Sequence, residues 1–280
     1  MIDYKDQKYK VVIVTPAGRE KFLSISKKFI YRKMEEGLID GWQLWLNTVK
    51  ESDIKYLESM EKENPKVKVY RLDEPIVPTW DNYNALQTHK FFKFAQDNDT
   101  IYVRFDDDLI WTEEGALEKL LQARINAPRA LLIYPNVINS TIVSYWHQQI
   151  MALGTEAGKC NGEYLDEFAY ANSDFIELIH KTFKKRYEEN SLSAYYLPNR
   201  SFENYQHFSI CCIAFWGKDK LQPTELEEAW LSWEEPERKR RPVFFCGDAL
   251  MVHYNYHTQK DYLMTLKPEP LDFFKTINDK

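Results

Sequence analysis

The chain has 280 residues, of which 44% are hydrophobic and 29% charged, with a net charge of −6 at pH 7. This balance is that of an ordinary folded domain with length for one sizeable core, and its acidity argues against a polyanion partner, so no nucleic acid is expected. No apolar run reaches the roughly 18 residues of a membrane span, and the first ten residues lack the apolar core of a signal peptide. A cytoplasmic location follows as the expectation, with peripheral membrane contact left open. Cys160, Cys211, Cys212 and Cys246 lack paired C-x-x-C spacing and read as reduced thiols.

In chain order, residues 10–14 are a short β-branched run stopped by Thr15-Pro16-Ala17-Gly18, the pattern of a buried first strand entering a loop that faces phosphate or nucleotide. Phe22, Ile25, Phe29, Ile30 and Met34 recur at helical spacing over residues 19–36, and Gly37 is the stop. Residues 42–46 form the second strand. Thr48-x-x-Glu51 resembles a capping box for a helix ending at Asn64-Pro65, and residues 67–72 form the third strand. A proline-punctuated loop follows, and Asp81 is placed as the cap of a helix running to about residue 96. Strand four, residues 101–105, ends in Asp106-Asp107-Asp108, and a helix is predicted to open at Thr112 with Glu113 and Glu114 at its positive end. Residues 130–134 are a fifth strand.

Residues 140–170 show no clean period and read as irregular. Residues 175–187 read as helix and 208–216 as strand. Thr224-x-x-Glu227 is a second capping-box match, opening a helix to about residue 233. A charged loop at 234–241, a Gly247-Asp248 turn and an apolar strand ending at His253 complete the chain. Strand and helix alternate in steps of about 30 residues, the spacing of right-handed βαβ crossovers, so the expectation is a mainly parallel sheet with ligands at the carboxyl ends of its strands.

Three adjacent carboxylates at a strand end repel one another unless a cation or dense hydrogen bonding compensates them. Alternation along the strand sends Asp106 and Asp108 to one side and Asp107 to the other, which makes an Asp-x-Asp pair a hard-oxygen claw for a divalent metal; an acidic solvated turn is the competing reading. An EF-hand fails, because Trp111 would stand at its glycine position and Leu117 at its bidentate glutamate position. An aspartyl-phosphate hydrolase is weakened, because its Asp-x-Asp follows the first strand and this one follows the fourth.

With residues 11–19, 42–48, 104–108, 212–219, 225–231 and 247–254 in this order, the chain resembles the GT-A class of nucleotide-sugar-dependent glycosyltransferases, in its family 2-like form. The resemblance implies an α/β, Rossmann-like single domain over 1–280, with a nucleotide-binding half at 1–110 and a smaller acceptor-binding half at 111–280. It implies Mn²⁺ or Mg²⁺, a nucleotide-diphosphate sugar as donor, and a hydroxyl of a glycan or lipid-linked glycan as acceptor, with inverting chemistry. Asp108 is then the direct metal ligand, Asp106 contacts metal or ribose, Asp107 holds sugar or ribose hydroxyls, and His253 completes the metal shell, against a structural histidine as the alternative. Glu228 is the base for the acceptor hydroxyl. Glu227 competes with it but also closes the capping box, and Asp248 is a third candidate that a turn explains equally well.

Thr15, Ala17 and Asn47 stand where base and ribose would lie, and Arg19 and Arg104 are candidates for the diphosphate, although Arg104 shares a strand face with Asp106 and can brace it instead. The basic run Arg238-Lys239-Arg240-Arg241 is either a cover that meets the diphosphate or a solvated loop. Trp80 and Trp216 are candidates to stack on a sugar, against ordinary packing. Two other functions fit parts of the pattern. A sugar-phosphate nucleotidyltransferase shares the sheet and metal but needs a glycine-rich loop that Thr15-Pro16-Ala17-Gly18-Arg19 lacks, and a non-catalytic glycan-binding protein would keep only the fold.

Overall fold

Strand β1 (Ile2–Tyr4) leads into β2 (Gln7–Ala17), the axis of the fold, whose side chains are apolar on both faces. Val11 and Ile13 pack towards α1 (Glu20–Glu35), while Val12 and Val14 enter a separate cluster on the other side. The computed structural model describes residues 2–4, 7–79, 82–84, 86–163, 166–203, 208–224, 230–263 and 269–278. In parallel with β2 run β3 (Gly41–Leu46) and β5 (Thr100–Phe105), and β4 (Val67–Tyr70) continues in parallel beyond β3. α1 and α2 (Glu51–Glu63) supply the crossovers that the spacing predicts.

The second half breaks this rhythm. β9 (Cys212–Trp216) runs antiparallel between β5 and β7 (Ile133–Ile138), β10 (Val243–His253) runs parallel to β7, and β6 (Leu109–Thr112) closes the edge antiparallel to β10. The order is β4-β3-β2-β5-β9-β7-β10-β6, with β1 on β2 and β8 (Arg200–Phe202) on β10 outside this path. The expected α/β class, a mainly parallel sheet flanked by helices, is the class observed. Because β9 opposes both of its neighbours, β5, β7 and β10 point the same way as β2. Their carboxyl ends therefore share one edge of the sheet.

Several elements differ from expectation. The acidic cluster is followed by strand β6, not by a helix start, because Leu109-Ile110-Trp111 is apolar enough to pair with β10. α3 (Ala116–Asn126) begins only after Gly115, which adopts a φ of 79°. The backbone N–H of Glu113 is taken by the Leu250 carbonyl, so Glu113 and Glu114 precede the helix. Thr48 builds no capping box: α2 has Lys50 as its N-cap residue, and the Thr48 hydroxyl accepts the Lys50 N–H while donating to the Asn82 carbonyl.

The helix expected up to residue 96 is a 3-10 segment at Thr88–Phe94, whose Phe91 and Phe92 pack on Trp45; Asp81 and Trp80 lie outside the described residues. Residues 140–170 contain α4 (Thr141–Gln149) and α5 (Glu167–Ala171), whose β-branched and aromatic content hides the helical period. α6 (Ser173–Glu188) stands as expected. The 234–241 segment contains α7 (Glu235–Lys239), and α8 (Glu269–Asn278) packs on the cluster that includes Phe183, Leu250 and Val252.

The Gly247-Asp248 turn is instead a bulge inside a continuous β10. Cys246 pairs with Pro135 and Leu250 with Asn136, so three residues of β10 have no opposite number. Gly247 is needed there, because a Cβ would lie 2.1 Å from the Leu197 carbonyl oxygen. A second irregularity, between Val252 and His253 in the pairing with β6, brings His253 opposite Leu109, beside the acidic cluster.

Candidate metal and nucleotide site

Asp106 and Asp108 leave the end of β5, and His253 ends β10 on the same edge. The main chain ties them together, since the Tyr254 N–H donates to the Asp108 carbonyl at 2.9 Å. One ligand atom from each of Asp106, Asp108 and His253 lies within 4.8 Å of the others. His253 Nε2 stands 3.4 Å from Asp108 Oδ1, and that oxygen is buried with no hydrogen-bond partner. Two donors on adjacent octahedral positions, each about 2.1 Å from an ion, are about 3 Å apart. The spacing is thus long for a hydrogen bond and suited to a shared cation.

The second nitrogen of the ring fixes its orientation. His253 Nδ1 lies 3.3 Å from the Asn139 carbonyl, which can only accept, so Nδ1 carries the proton and Nε2 faces the carboxylates. With its oxygen-rich donors and one imidazole, the group fits a hard divalent ion such as Mn²⁺ or Mg²⁺. Asp106, with 25% of its side chain exposed, is the open member, whereas Asp108 and His253 retain only 4% and 5%.

Asp107 turns the other way and is fully buried. Its Oδ2 accepts the Gly18 N–H at 3.1 Å, and its Oδ1 accepts Arg19 Nε at 2.9 Å and Arg19 Nη2 as well. Arg19 Nη2 also reaches Asp108 Oδ2 at 3.1 Å. Arg104 Nη1 sits 2.7 Å from Asp106 Oδ1 and donates to the Ile210 carbonyl. Burial raises Asp107 to about 6, helped by its two acidic neighbours and only partly offset by Arg19. Burial raises Asp106 in the same way, with Arg104 opposing. Burial also works against ionised Asp108, but Arg19 and His253 outweigh it and hold that carboxyl at about 2. His253 is raised because Asp108 overcomes the effect of burial. A cation at Nε2 would take the place of that extra proton, so metal and proton compete for the ring.

The remaining sequence candidates separate into groups. Ala17 and Asn47 stand at the carboxyl ends of β2 and β3, both fully buried and joined by the Asn47 N–H to Ala17 carbonyl bond at 2.9 Å, with the Asn47 side chain against Thr88. Thr15 is buried, with its hydroxyl accepting the Trp42 indole N–H at 2.9 Å. Glu227 and Glu228 lie outside the described residues. Asp248 sits in the bulge of β10, five positions before His253, with a carboxylate oxygen 3.9 Å from Lys119 Nζ of α3. Leu250, the first paired residue after the bulge, is three strand steps or roughly 10 Å from the histidine, and Asp248 lies just before it. Trp216 pairs opposite Ile101, at the far edge of the sheet, and is buried against Tyr9.

The basic run also lies at that far edge, near the start of β10, which the register with β7 places about seven strand steps or roughly 23 Å from His253. Arg238 is held bidentately by Glu235 at 2.6 and 2.7 Å, and Arg241 bonds Asp219 and the carbonyls of 128–130. Neither is a cover for the site. Sequence reasoning missed Tyr83, whose ring lies over Arg19 and against Gly18 and whose hydroxyl donates to the Pro16 carbonyl, and it missed Asn139; neither position carries a spacing signal.

The chain is similar to glucosyl-3-phosphoglycerate synthase from Mycobacterium tuberculosis, solved with Mn²⁺, UDP and phosphoglyceric acid, at 12% identity and a TM-score of 0.46 over 96% of this chain and 78% of that one. It is also similar to a 4-diphosphocytidyl-2C-methyl-D-erythritol synthase at 13% identity and a TM-score of 0.33, covering 45% of this chain and 59% of that one. The corresponding synthase from Anaerococcus prevotii DSM 20548 gives 16% and 0.32, covering 47% and 56%. The chain thus spans 59% and 56% of the length of these two. No family model and no curated protein matches the chain. At these identities and TM-scores the likenesses assign no activity.

Proposed function

We propose that the protein is a metal-dependent glycosyltransferase that moves a sugar from a nucleotide-diphosphate sugar to an acceptor hydroxyl on a glycan or lipid-linked glycan. One observation carries this reading: Asp106, Asp108 and His253 converge on the carboxyl edge of a mainly parallel sheet, beside the loop that follows β2. A bound divalent ion would supply positive charge for the departing nucleoside diphosphate. The chain's own part is to hold that charge. Asp106 and Asp108 offer carboxylate oxygens, His253 offers Nε2, and the Asn139 carbonyl keeps the ring aimed. Ala17 and Asn47 border the space for base and ribose, and Glu228 is the proposed base for the acceptor hydroxyl.

Gly18 weighs against the nucleotidyltransferase reading. A nucleoside triphosphate is cradled by free backbone N–H groups, and the Gly18 N–H is already held by Asp107, with the Tyr83 ring and Thr48 filling the space where a Cβ would be. A screen of nucleotide sugars for Mn²⁺-dependent donor hydrolysis and transfer tests the proposal. At least one donor is expected to turn over, and Glu228→Gln should lower transfer at least a hundredfold while leaving donor binding intact. Pyrophosphate release from a nucleoside triphosphate and a sugar phosphate, with no donor turned over, would overturn it. No helix among the described residues is long and apolar enough to cross a membrane.

A further inference from the structure

Among the described residues, Arg19 and Arg104 are the cations paired with the acidic cluster, and their surroundings leave them little to offer a substrate. The Arg19 guanidinium bonds Asp107 through Nε and Nη2 and reaches Asp108 through Nη2. The Phe22 ring, 5.2 Å away, and the Tyr83 ring, 5.1 Å away, lie against it. Only 14% of its side chain is exposed. Arg104 is 6% exposed and shared between Asp106 and the Ile210 carbonyl. Turning Arg19 towards a phosphate would strand the fully buried Asp107 carboxylate with the Gly18 N–H as its remaining partner.

The consequence lies in which oxygens remain. Asp108 gives Oδ2 to Arg19 and keeps Oδ1 facing His253 Nε2. Asp106 gives Oδ1 to Arg104. Each guanidinium thus holds one oxygen of one outward-facing aspartate, Arg19 that of Asp108 and Arg104 that of Asp106, and fixes that side chain's rotation with its other oxygen left for a cation. Three carboxylates against two guanidinium groups leave one net negative charge, so the cluster can stay assembled without a cation and still attract one.

We propose that Arg19 and Arg104 are positioning residues of a preformed cation site, with Asp107 as the buried anchor of Arg19, and that the free protein binds the divalent ion before any nucleotide. This inference rests on the cation site of the proposed function and goes beyond it in the roles of the arginines and the order of binding. Nucleotide diphosphate then meets the bound ion, not the arginines.

The test is Mn²⁺ titration of the free protein, read as loss of the free-ion electron paramagnetic resonance signal, for the wild type, Arg19→Lys and Asp107→Asn. Lysine keeps the charge but cannot span two carboxylates, and asparagine keeps the shape but releases Arg19. The wild type should bind Mn²⁺ with no nucleotide present. Both variants should bind it 10- to 100-fold more weakly, with UDP or GDP affinity at saturating Mn²⁺ unchanged. The inference is overturned if Arg19→Lys keeps wild-type Mn²⁺ affinity and loses nucleotide affinity, which is the signature of a diphosphate ligand. Mn²⁺ binding that appears only with nucleotide also overturns it, while leaving the proposed function standing; Mn²⁺ binding without nucleotide but with no donor turned over does the reverse. Melting curves without Mn²⁺ report folding, and if Arg19→Lys does not fold, Asp107→Asn decides.

Discussion

Replacing Asp108 by asparagine is the sharpest probe of the cation site. The substitution preserves side-chain shape and leaves the backbone bond from the Tyr254 N–H at 2.9 Å in place, but it removes the charge whose Oδ1 faces His253 Nε2 at 3.4 Å. A ligand present at a hundred times its Kd stabilises the fold by about 2.7 kcal/mol. For 280 residues, an unfolding entropy of roughly 2.1 cal/mol/K per residue sums to about 0.6 kcal/mol/K, so the wild type should gain about 5 °C in Tm. Scanning fluorimetry with Mn²⁺ and UDP or GDP measures that gain, and comparing each protein with and without ligand cancels any change in the baseline. Asp108→Asn should gain less than about 1 °C under the same conditions, since a lost ligand raises Kd by far more than tenfold. A full gain in the variant would remove Asp108 from the site, and no gain in the wild type with either nucleotide would refute the cation reading itself.

Three further outcomes follow from the same geometry. Gly18→Ala places a Cβ 2.7 Å from Tyr83 Cδ2 and 2.9 Å from Thr48 Cβ, so urea unfolding should show a loss of about 1–3 kcal/mol; an unchanged midpoint would mean that the loop yields freely. Arg240→Ala, in the exposed basic segment at the far edge, should leave transfer rate and donor KM unchanged, and a change above threefold would return that segment to the substrate. Burial lowers His147 to about 3 and His180 to about 4, both below the usual value near 6.5. The unfolded chain therefore takes up protons first, and stability present above pH 6.5 is lost as pH falls from there towards those values. Acid unfolding should begin below about pH 6.5 and be delayed in His147→Gln; an identical acid transition in that variant would exclude His147 as its source.

The N-terminal part of the sheet was legible because local signals and tertiary pairing agree there. Apolar runs at 10–14, 42–46 and 101–105, separated by periodic helices, admit few arrangements other than parallel crossovers. The failures cluster where a distant partner decides. Leu109-Ile110-Trp111 reads as the tail of a loop until β10, 140 residues later, offers it an edge. Residues 80–96 look helical by composition, but Asn82 at a φ of 59° and the bonds from Val49 and Asn84 tie the chain to the β3 end instead. The Gly247 bulge was hidden because a glycine–aspartate pair is also the commonest mark of a turn. Only its close approach to Leu197 shows why a continuous strand needs it.

The two arginines show how an acidic run can change what its neighbours do. In the sequence, Arg19 after the first strand and Arg104 before the acidic cluster are candidates for the diphosphate, with Arg104 also able to brace Asp106. The chain, however, supplies competing anions that never diffuse away. Asp107 is buried, and at 2.9 Å from Arg19 Nε it presents a permanent carboxylate at a local concentration no substrate can match. A phosphate would have to displace that carboxylate and leave it uncompensated in a medium of low dielectric, where its charge is most costly. Here Arg19 is held chiefly by Asp107, the member that faces inward, and Arg104 by Asp106. On the proposed reading, what remains for the substrate is a cation held by Asp106 and Asp108.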